Sequence, residues 1–144
     1  MPTLEDAISL ALQAHKGQVD KAKKPYILHP LRLMAKMGTD EEMIAAVLHD
    51  VIEDSDDTVT LDDLRAAGYS KSVVEALDLL TKRDGETYEE FVERIRPNPL
   101  ARKVKLADLE DNMNLARLPD PQPVDLERFK KYQRAWESLS GQNH

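Results

Sequence analysis

The 144-residue chain has no cysteine, few aromatic residues and only five glycines. Without cysteine it has no disulfide framework, no thiolate nucleophile and no cysteine-rich zinc site. No apolar run approaches the roughly 18 residues of a membrane span, and the N-terminus lacks the basic region and apolar core of a signal peptide. We therefore expect a cytoplasmic protein with no membrane partner. A glycine-rich phosphate loop and a serine triad are also absent, so any phosphate chemistry must depend on other groups.

Acidic residues are in excess, and the formal net charge is −7. This balance argues against DNA or RNA as a partner, because nucleic-acid binding depends on a basic surface. Two local clusters are nevertheless basic, and either they line a cleft that attracts a phosphorylated ligand or they are ordinary solvated surface. They are Lys16, Lys21, Lys23 and Lys24 in one segment, and Arg102, Lys103 and Lys105 in the other.

Apolar residues recur with helical spacing along most of the chain, and strand patterns are nearly missing. Thr60 with Asp63, and Thr87 with Glu90, have the spacing of capping boxes, and Gly68 and Gly85 mark breaks. The pattern predicts an all-α bundle that forms one domain over residues 1–144. The predicted helices are Leu4–Ala14, Pro30–Met37, Asp40–Val51, Leu61–Ala67, Lys71–Leu80, Tyr88–Ile95, Ala101–Leu115 and Leu126–Leu139.

The most informative segment is an apolar run that ends in His49 and Asp50 and is followed by Glu53 and Asp54. Residues four apart share a face of a helix, so one helix end could present a ligand pair and an acid/base pair to the same cavity. A buried histidine followed by a solvated acidic turn is the alternative interpretation of the doublet alone.

Two further segments supply additional metal-ligand side chains. His29 precedes a proline that suits the first turn of a helix, and Asp108 follows a short apolar run with Asn112 four residues later. Two imidazoles and two carboxylates form a mixed nitrogen and oxygen set that suits manganese, iron, cobalt or zinc. Water bound to such an ion is a nucleophile at neutral pH.

The order His29, His49-Asp50, Asp108 resembles the HD superfamily of metal-dependent phosphohydrolases. Four longer motifs resemble the hydrolase domain of RelA/SpoT proteins and the small stand-alone alarmone hydrolases. The motifs are Ala14-His-Lys-Gly-Gln18, Pro25-Tyr-Ile-Leu-His-Pro30, Leu48-His-Asp-Val-Ile-Glu-Asp54 and Lys105-Leu-Ala-Asp-Leu-Glu-Asp-Asn112. The resemblance implies an HD-domain helical bundle of the hydrolase-only kind.

Residue roles follow from this resemblance position by position. It implies that His29, His49, Asp50 and Asp108 bind a single metal, typically Mn²⁺. Glu53 and Asp54 match an acidic pair that activates water and handles protons. Substrate contacts are implied for Lys21, Asn112 and Tyr132. The implied reaction removes the 3′-pyrophosphate of guanosine tetra- or pentaphosphate and gives GDP or GTP.

The chain departs from the family pattern at Asp20, where the family usually has an arginine that holds the purine base. This departure favours, as the alternative, an HD hydrolase of another nucleotide or phosphorylated metabolite. A further alternative, of a different class, is a non-catalytic alarmone-binding protein that keeps the metal fold. The sequence also leaves open a homo-oligomer. Tyr132 belongs to an aromatic stripe that we expect to pack, and Glu110 and Asp111 are expected to face solvent.

Overall fold

The computed structural model describes residues 1–141 and shows an all-α bundle, as the sequence predicts. Within that range no strand forms, and Val19 and Pro25 make an isolated bridge. Residues 142–144 of the predicted domain lie outside the described range. The helices are α1 (Leu4–His15), α2 (Leu28–Ala35), α3 (Asp40–Val47), α4 (Val51–Asp54), α5 (Leu61–Ala67), α6 (Lys71–Leu79), α7 (Tyr88–Ile95), α8 (Pro99–Asn112) and α9 (Pro123–Ser140), with a 3₁₀ helix at Leu115–Arg117.

Local sequence determines where several helices start and stop. Capping boxes at Thr60 and Thr87 begin α5 and α7 as predicted, and two more begin α1 and α3. Each threonine side chain accepts a hydrogen bond from a first-turn amide, which stabilises a helix by about 1 kcal/mol. Gly68 ends α5 with a φ of 94°, a left-handed conformation that favours glycine.

Helix α3 lies at the centre of the molecule and packs against α1, α2, α6 and α8. The apolar run from Ile44 to Leu48, which covers the end of α3 and the residue after it, is almost completely buried, with 0–2% of each residue exposed. A smaller apolar cluster joins α7, α8 and α9, and Tyr132 and Trp136 pack against it, as expected of the aromatic stripe. Burial of these apolar side chains is the main favourable contribution to folding.

The predicted helix over Asp40–Val51 is interrupted, so the prediction of one continuous helix is wrong. Helix α3 ends at Val47, and α4 begins at Val51. At Asp50 the backbone is not helical (φ −123°, ψ 17°), and the His49 amide bonds the Ala46 carbonyl three residues back. The break places His49 and Asp50 in a turn.

Several other helix boundaries differ from the predicted ones by one to three residues. Helices α2, α8 and α9 each begin earlier than the periodicity predicts, at Leu28, Pro99 and Pro123. Prolines at the first helical position explain the starts of α8 and α9, because they need no amide partner there. None of the helices within residues 1–141 is both long enough and apolar enough to cross a bilayer.

Candidate metal centre and adjoining cleft

The four predicted metal ligands come together from three parts of the fold. His29 lies in the first turn of α2, His49 and Asp50 lie in the turn between α3 and α4, and Asp108 lies in α8. The Oδ1 atom of Asp108 is 2.8 Å from His29 Nε2 and 3.3 Å from His49 Nε2. His49 Nε2 is also 3.4 Å from Asp50 Oδ2. Both histidines and Asp108 are buried.

Hydrogen bonds fix the direction in which each imidazole presents its nitrogen atoms. His49 Nδ1 donates to the Ala46 carbonyl at 2.9 Å, and His29 Nδ1 lies 2.5 Å from Asp111 Oδ2. When neutral, both rings therefore present the lone pair of Nε2 to Asp108. Lone pairs that face a carboxylate repel it unless a proton or a cation lies between them.

These residues fit a divalent ion. Two ligand atoms that each lie about 2.1 Å from one ion are separated by roughly 3–3.5 Å at common coordination angles. The nitrogen–oxygen distances of 2.8, 3.3 and 3.4 Å are close to that range. His29, His49 and Asp50 each offer a ligand atom, and these three atoms lie within 4.8 Å of one another. Mixed nitrogen and oxygen ligands suit borderline divalent ions.

Neighbouring charges shift the pKa values of the buried groups in this centre. Burial lowers the pKa of His49, but Asp50 and Asp108 outweigh it and raise the pKa to about 9. Burial likewise raises the pKa of Asp50, and His49, His15 and Tyr26 outweigh it and bring the pKa to about 2. Histidine binds a metal as the neutral imidazole, so an ion at this centre would compete with protons for His49.

Tyr26 and His15 surround Asp50, although neither was predicted as a site residue. The Tyr26 hydroxyl donates a hydrogen bond to Asp50 Oδ2, and His15 Nε2 is 3.5 Å from Asp50 Oδ1. The Tyr26 ring lies beside His15 and His29, with ring centroids 5.0 and 5.6 Å away. Both residues belong to the motifs quoted from the sequence, but nothing in those motifs showed that they converge on Asp50.

The predicted catalytic acids have different surroundings. Asp54 is partly buried, with Oδ2 4.0 Å from His15 Nδ1, and burial followed by the charge of Asp50 raises its pKa to about 6. Glu53 is exposed and accepts a hydrogen bond from the backbone amide of Lys82 at 2.6 Å. Asp54 thus lies beside the metal centre, whereas Glu53 holds the loop that follows α6. Their catalytic roles remain predictions.

Two charged residues of α8 are more deeply buried than the sequence suggested. Asp111 was expected to face solvent, and this expectation is wrong, since only 4% of the residue is exposed. It pairs with His29, Arg32 and Arg117. Lys105 is buried beside Asp108, with Nζ 2.9 Å from Oδ2 and 5.0 Å from the centre of the Phe91 ring. Burial lowers the pKa of Lys105, but Asp108 outweighs it and raises the pKa overall.

A cleft of about 350 Å³ opens beside His29. The predicted substrate contacts Lys21, Asn112 and Tyr132 all line it, and Asn112 Nδ2 also donates to Asp108 Oδ1 at 3.2 Å. Further charged side chains on its wall are Asp20, Arg32, Arg117, Asp125 and Arg128. The arginines were not predicted, because their positions in the sequence gave no sign that they share one wall.

Asp20 lies on the cleft wall but also has a structural role. Its Oδ1 atom accepts hydrogen bonds from the backbone amides of Ala22 and Lys24, at 2.8 and 2.9 Å. These bonds close the turn that carries Lys21, as short acidic side chains commonly do. Of the predicted basic clusters, Lys21 reaches the cleft, while Lys103 pairs with Glu42 at 3.0 Å.

No family model matches the chain. A guanosine-3′,5′-bis(diphosphate) 3′-pyrophosphohydrolase of Vibrio cholerae is 38% identical over 125 residues, which cover 83% of this chain and 17% of that protein. A bifunctional (p)ppGpp synthase/hydrolase SpoT of Escherichia coli is 35% identical over 112 residues, covering 75% of this chain and 15% of that protein.

A GTP pyrophosphokinase of Streptomyces coelicolor is 32% identical over 149 aligned positions, covering 94% of this chain and 16% of that protein. The chain thus spans less than one fifth of the length of each of these relatives. The similarity covers most of this chain in each comparison. The chain is therefore related to a segment of the RelA/SpoT group of proteins, several of which are named guanosine-3′,5′-bis(diphosphate) 3′-pyrophosphohydrolases.

Proposed function

We propose that this protein is a metal-dependent phosphohydrolase of the HD type, and that its substrate is guanosine 3′,5′-bis(diphosphate) or its pentaphosphate analogue. The observation that carries the proposal is the approach of His29 Nε2 and His49 Nε2 to one oxygen of Asp108, at 2.8 and 3.3 Å, beside a cleft. The relatives named as pyrophosphohydrolases support the choice of reaction.

One divalent ion, for which we propose Mn²⁺, would be held by His29, His49, Asp50 and Asp108. Such an ion polarises a phosphoryl oxygen and lowers the pKa of a bound water. The Tyr26 hydroxyl orients the Asp50 carboxylate through its hydrogen bond. Asn112 donates to Asp108 at 3.2 Å and also lines the cleft, so it links the metal centre to the bound substrate.

The reaction forms a phosphorus–oxygen bond to water and breaks the bond between phosphorus and the ribose 3′ oxygen. Pyrophosphate leaves, and the 3′ oxygen takes up a proton. Asp54 is the residue that we propose for moving this proton, because it is a partly buried carboxylate beside Asp50 and His15. Glu53, which accepts the Lys82 amide, would act with it by holding the adjoining loop.

Cations on the cleft wall suit a substrate with several phosphates. Arg32 and Arg117 are paired with Asp111, and Arg128 is paired with Asp125 at 3.4 Å, so Lys21 is the lining cation without an ion pair among the described residues. Burial and then the positive charge of Arg128 lower the pKa of Lys21, and the charge of Asp125 opposes this effect. A phosphate group beside Lys21 would supply a negative charge that pairs with it. Tyr132 completes this side of the cleft.

A second candidate is hydrolysis of a different nucleotide or phosphorylated metabolite. The observation that favours it is Asp20, a carboxylate on the wall where the related family has a base-binding arginine. A non-catalytic alarmone-binding protein is a further alternative. Replacing Glu53 and Asp54 by amides separates enzyme from binder, because an enzyme loses turnover while it keeps nucleotide affinity.

The experiment that tests the proposal measures pyrophosphate release from guanosine tetraphosphate by the Mn²⁺-loaded protein, with a panel of other nucleotides beside it. Asp50→Ala is expected to reduce turnover by roughly 10²- to 10³-fold or more. Asp62→Ala is the matched control, since its side chain is 91% exposed and lies away from the cleft lining. Activity on another nucleotide alone would favour the second candidate, and nucleotide binding without turnover would favour the binding protein.

A further inference from the structure

Asp111 is a buried carboxylate that the proposed reaction does not use directly. It is 4% exposed, and three basic side chains surround it. Arg32 Nε and Nη2 donate to its two oxygens at 2.8 and 3.0 Å. Arg117 Nη1 donates to Oδ1 at 3.1 Å, and Arg117 Nη2 donates to the Asp111 backbone carbonyl at 2.7 Å. This arrangement leaves the carboxylate little freedom to rotate.

The third partner of Asp111 is a proposed metal ligand. Asp111 Oδ2 lies 2.5 Å from His29 Nδ1, while the opposite ring nitrogen of His29 faces Asp108 at 2.8 Å. Asp108 and Asp111 are three residues apart on α8, so one face of that helix contacts both edges of the same imidazole. A neutral imidazole that donates from Nδ1 presents the lone pair of Nε2 on its other side.

We propose that Asp111 is a positioning residue of the metal centre. It holds the His29 ring with Nδ1 protonated and Nε2 directed towards the ion, and Arg32 and Arg117 hold Asp111 in place. This inference rests on the metal site of the proposed function but not on the identity of the substrate. A carboxylate behind a ligand histidine orients the ring and makes it a stronger ligand, and loss of such a partner commonly weakens metal binding by about 10- to 100-fold.

The first test is Mn²⁺ binding measured by calorimetry without nucleotide. Asp111→Ala is expected to weaken binding by about 10- to 100-fold, and Asp111→Asn by less because the amide oxygen still accepts from Nδ1. Affinity equal to that of the parent protein in a folded Asp111→Ala variant would overturn the proposal. If circular dichroism shows that the alanine variant does not fold, the asparagine variant decides. It is then expected to bind Mn²⁺ more weakly than the parent protein, and an affinity equal to that of the parent protein would overturn the proposal.

Arg117→Ala separates positioning from a purely structural role. It removes the Arg117 contacts of Asp111 and leaves the contact between Asp111 and His29 in place. We expect it to weaken Mn²⁺ binding less than Asp111→Ala does, and an equal weakening would overturn the proposal. Glu110→Ala, at the exposed neighbouring position, is expected to leave the affinity unchanged.

A spectroscopic signature provides the second test. In the Zn²⁺-loaded protein, long-range proton–nitrogen spectra should show a His29 Nδ1–H that is protected from solvent exchange, and Asp111→Ala should abolish the protection. Persistent protection in that variant would contradict the proposal.

These readouts need no nucleotide, so they are separable from the proposed function. If Asp111→Ala weakens Mn²⁺ binding but the parent protein hydrolyses no nucleotide, only the proposed function is overturned. If the parent protein hydrolyses the alarmone but Asp111→Ala binds Mn²⁺ as tightly as the parent protein, only the inference about Asp111 is overturned. A parent protein that binds no divalent ion overturns both.

Discussion

The apolar core and the polar centre of this protein meet on one stretch of chain, and they are built in opposite ways. From Ile44 to Leu48 every side chain is buried in apolar surroundings, and the next residue, His49, is also buried but contacts two carboxylates. The core contributes stability through burial of apolar surface. The polar centre costs free energy unless each charge is paired. The core therefore supplies the stability that allows a polar centre to be held rigidly beside it.

The largest expected effect in this comparison is on the core. Leu77→Ala removes a fully buried side chain of α6 and should lower the free energy of unfolding by about 2–5 kcal/mol. Urea unfolding measures this loss. Leu12→Ala is the matched control, because Leu12 is 48% exposed, and its effect should stay within about 0.5 kcal/mol. Since α6 supplies none of the proposed ligands, a folded Leu77→Ala variant that no longer binds Mn²⁺ would contradict the separation of the two regions.

The second-largest effect is expected at the polar centre, where Mn²⁺ should raise the free energy of unfolding. If Mn²⁺ binds only the folded chain, free ion at 100 times its dissociation constant raises the unfolding free energy by about 2.7 kcal/mol. A rise in melting temperature that a chelator reverses is the expected measurement. Asp108→Asn should abolish the rise, whereas Leu77→Ala should retain it. A rise of the same size in both variants would show that the ion binds elsewhere.

The smallest effect is expected at an ion pair outside both regions. Arg94 donates to both oxygens of Glu86, one of them at 2.9 Å, and these hydrogen bonds lower the pKa of Glu86 from 4.5 to about 2. A carboxyl whose pKa is lower in the folded state stabilises the fold above its unfolded pKa and loses this contribution as the pH falls. Glu86→Gln should therefore be less stable than the parent protein at pH 6, and the difference should shrink between about pH 4.5 and 2. A difference that stays constant in urea titrations across this range would refute the assignment.

Much of the fold could be predicted from helical periodicity and from the capping boxes at Thr60 and Thr87, because both signals are local. The break after Val47 could not, since the apolar pattern runs through it without glycine or proline. The bonds that fix the turn include the one between the His49 ring and the Ala46 carbonyl, and nothing in the spacing of apolar residues reports that contact.

The motifs predict that His29, His49, Asp50 and Asp108 come together, whereas they do not predict the burial and pairing of Asp111. Its position three residues after Asp108 placed it on the same face of α8, so part of the signal was available. What the sequence did not indicate is that Asp111 pairs with Arg32 and Arg117, which lie 79 and 6 residues away along the chain. Pairing over such separations depends on how helices dock, and a single sequence does not specify that directly.

The interruption between α3 and α4 has a consequence for transplanting this site into other proteins. Adjacent residues of a regular helix point about 100° apart, so a histidine and an aspartate in sequence would diverge there. Here the turn directs them to the same point, and His49 Nε2 and Asp50 Oδ2 lie 3.4 Å apart. A designer who copied the two side chains onto an uninterrupted helix would reproduce the motif without its geometry. The unit to copy is the irregular backbone of residues 48–50 together with the carbonyl of Ala46.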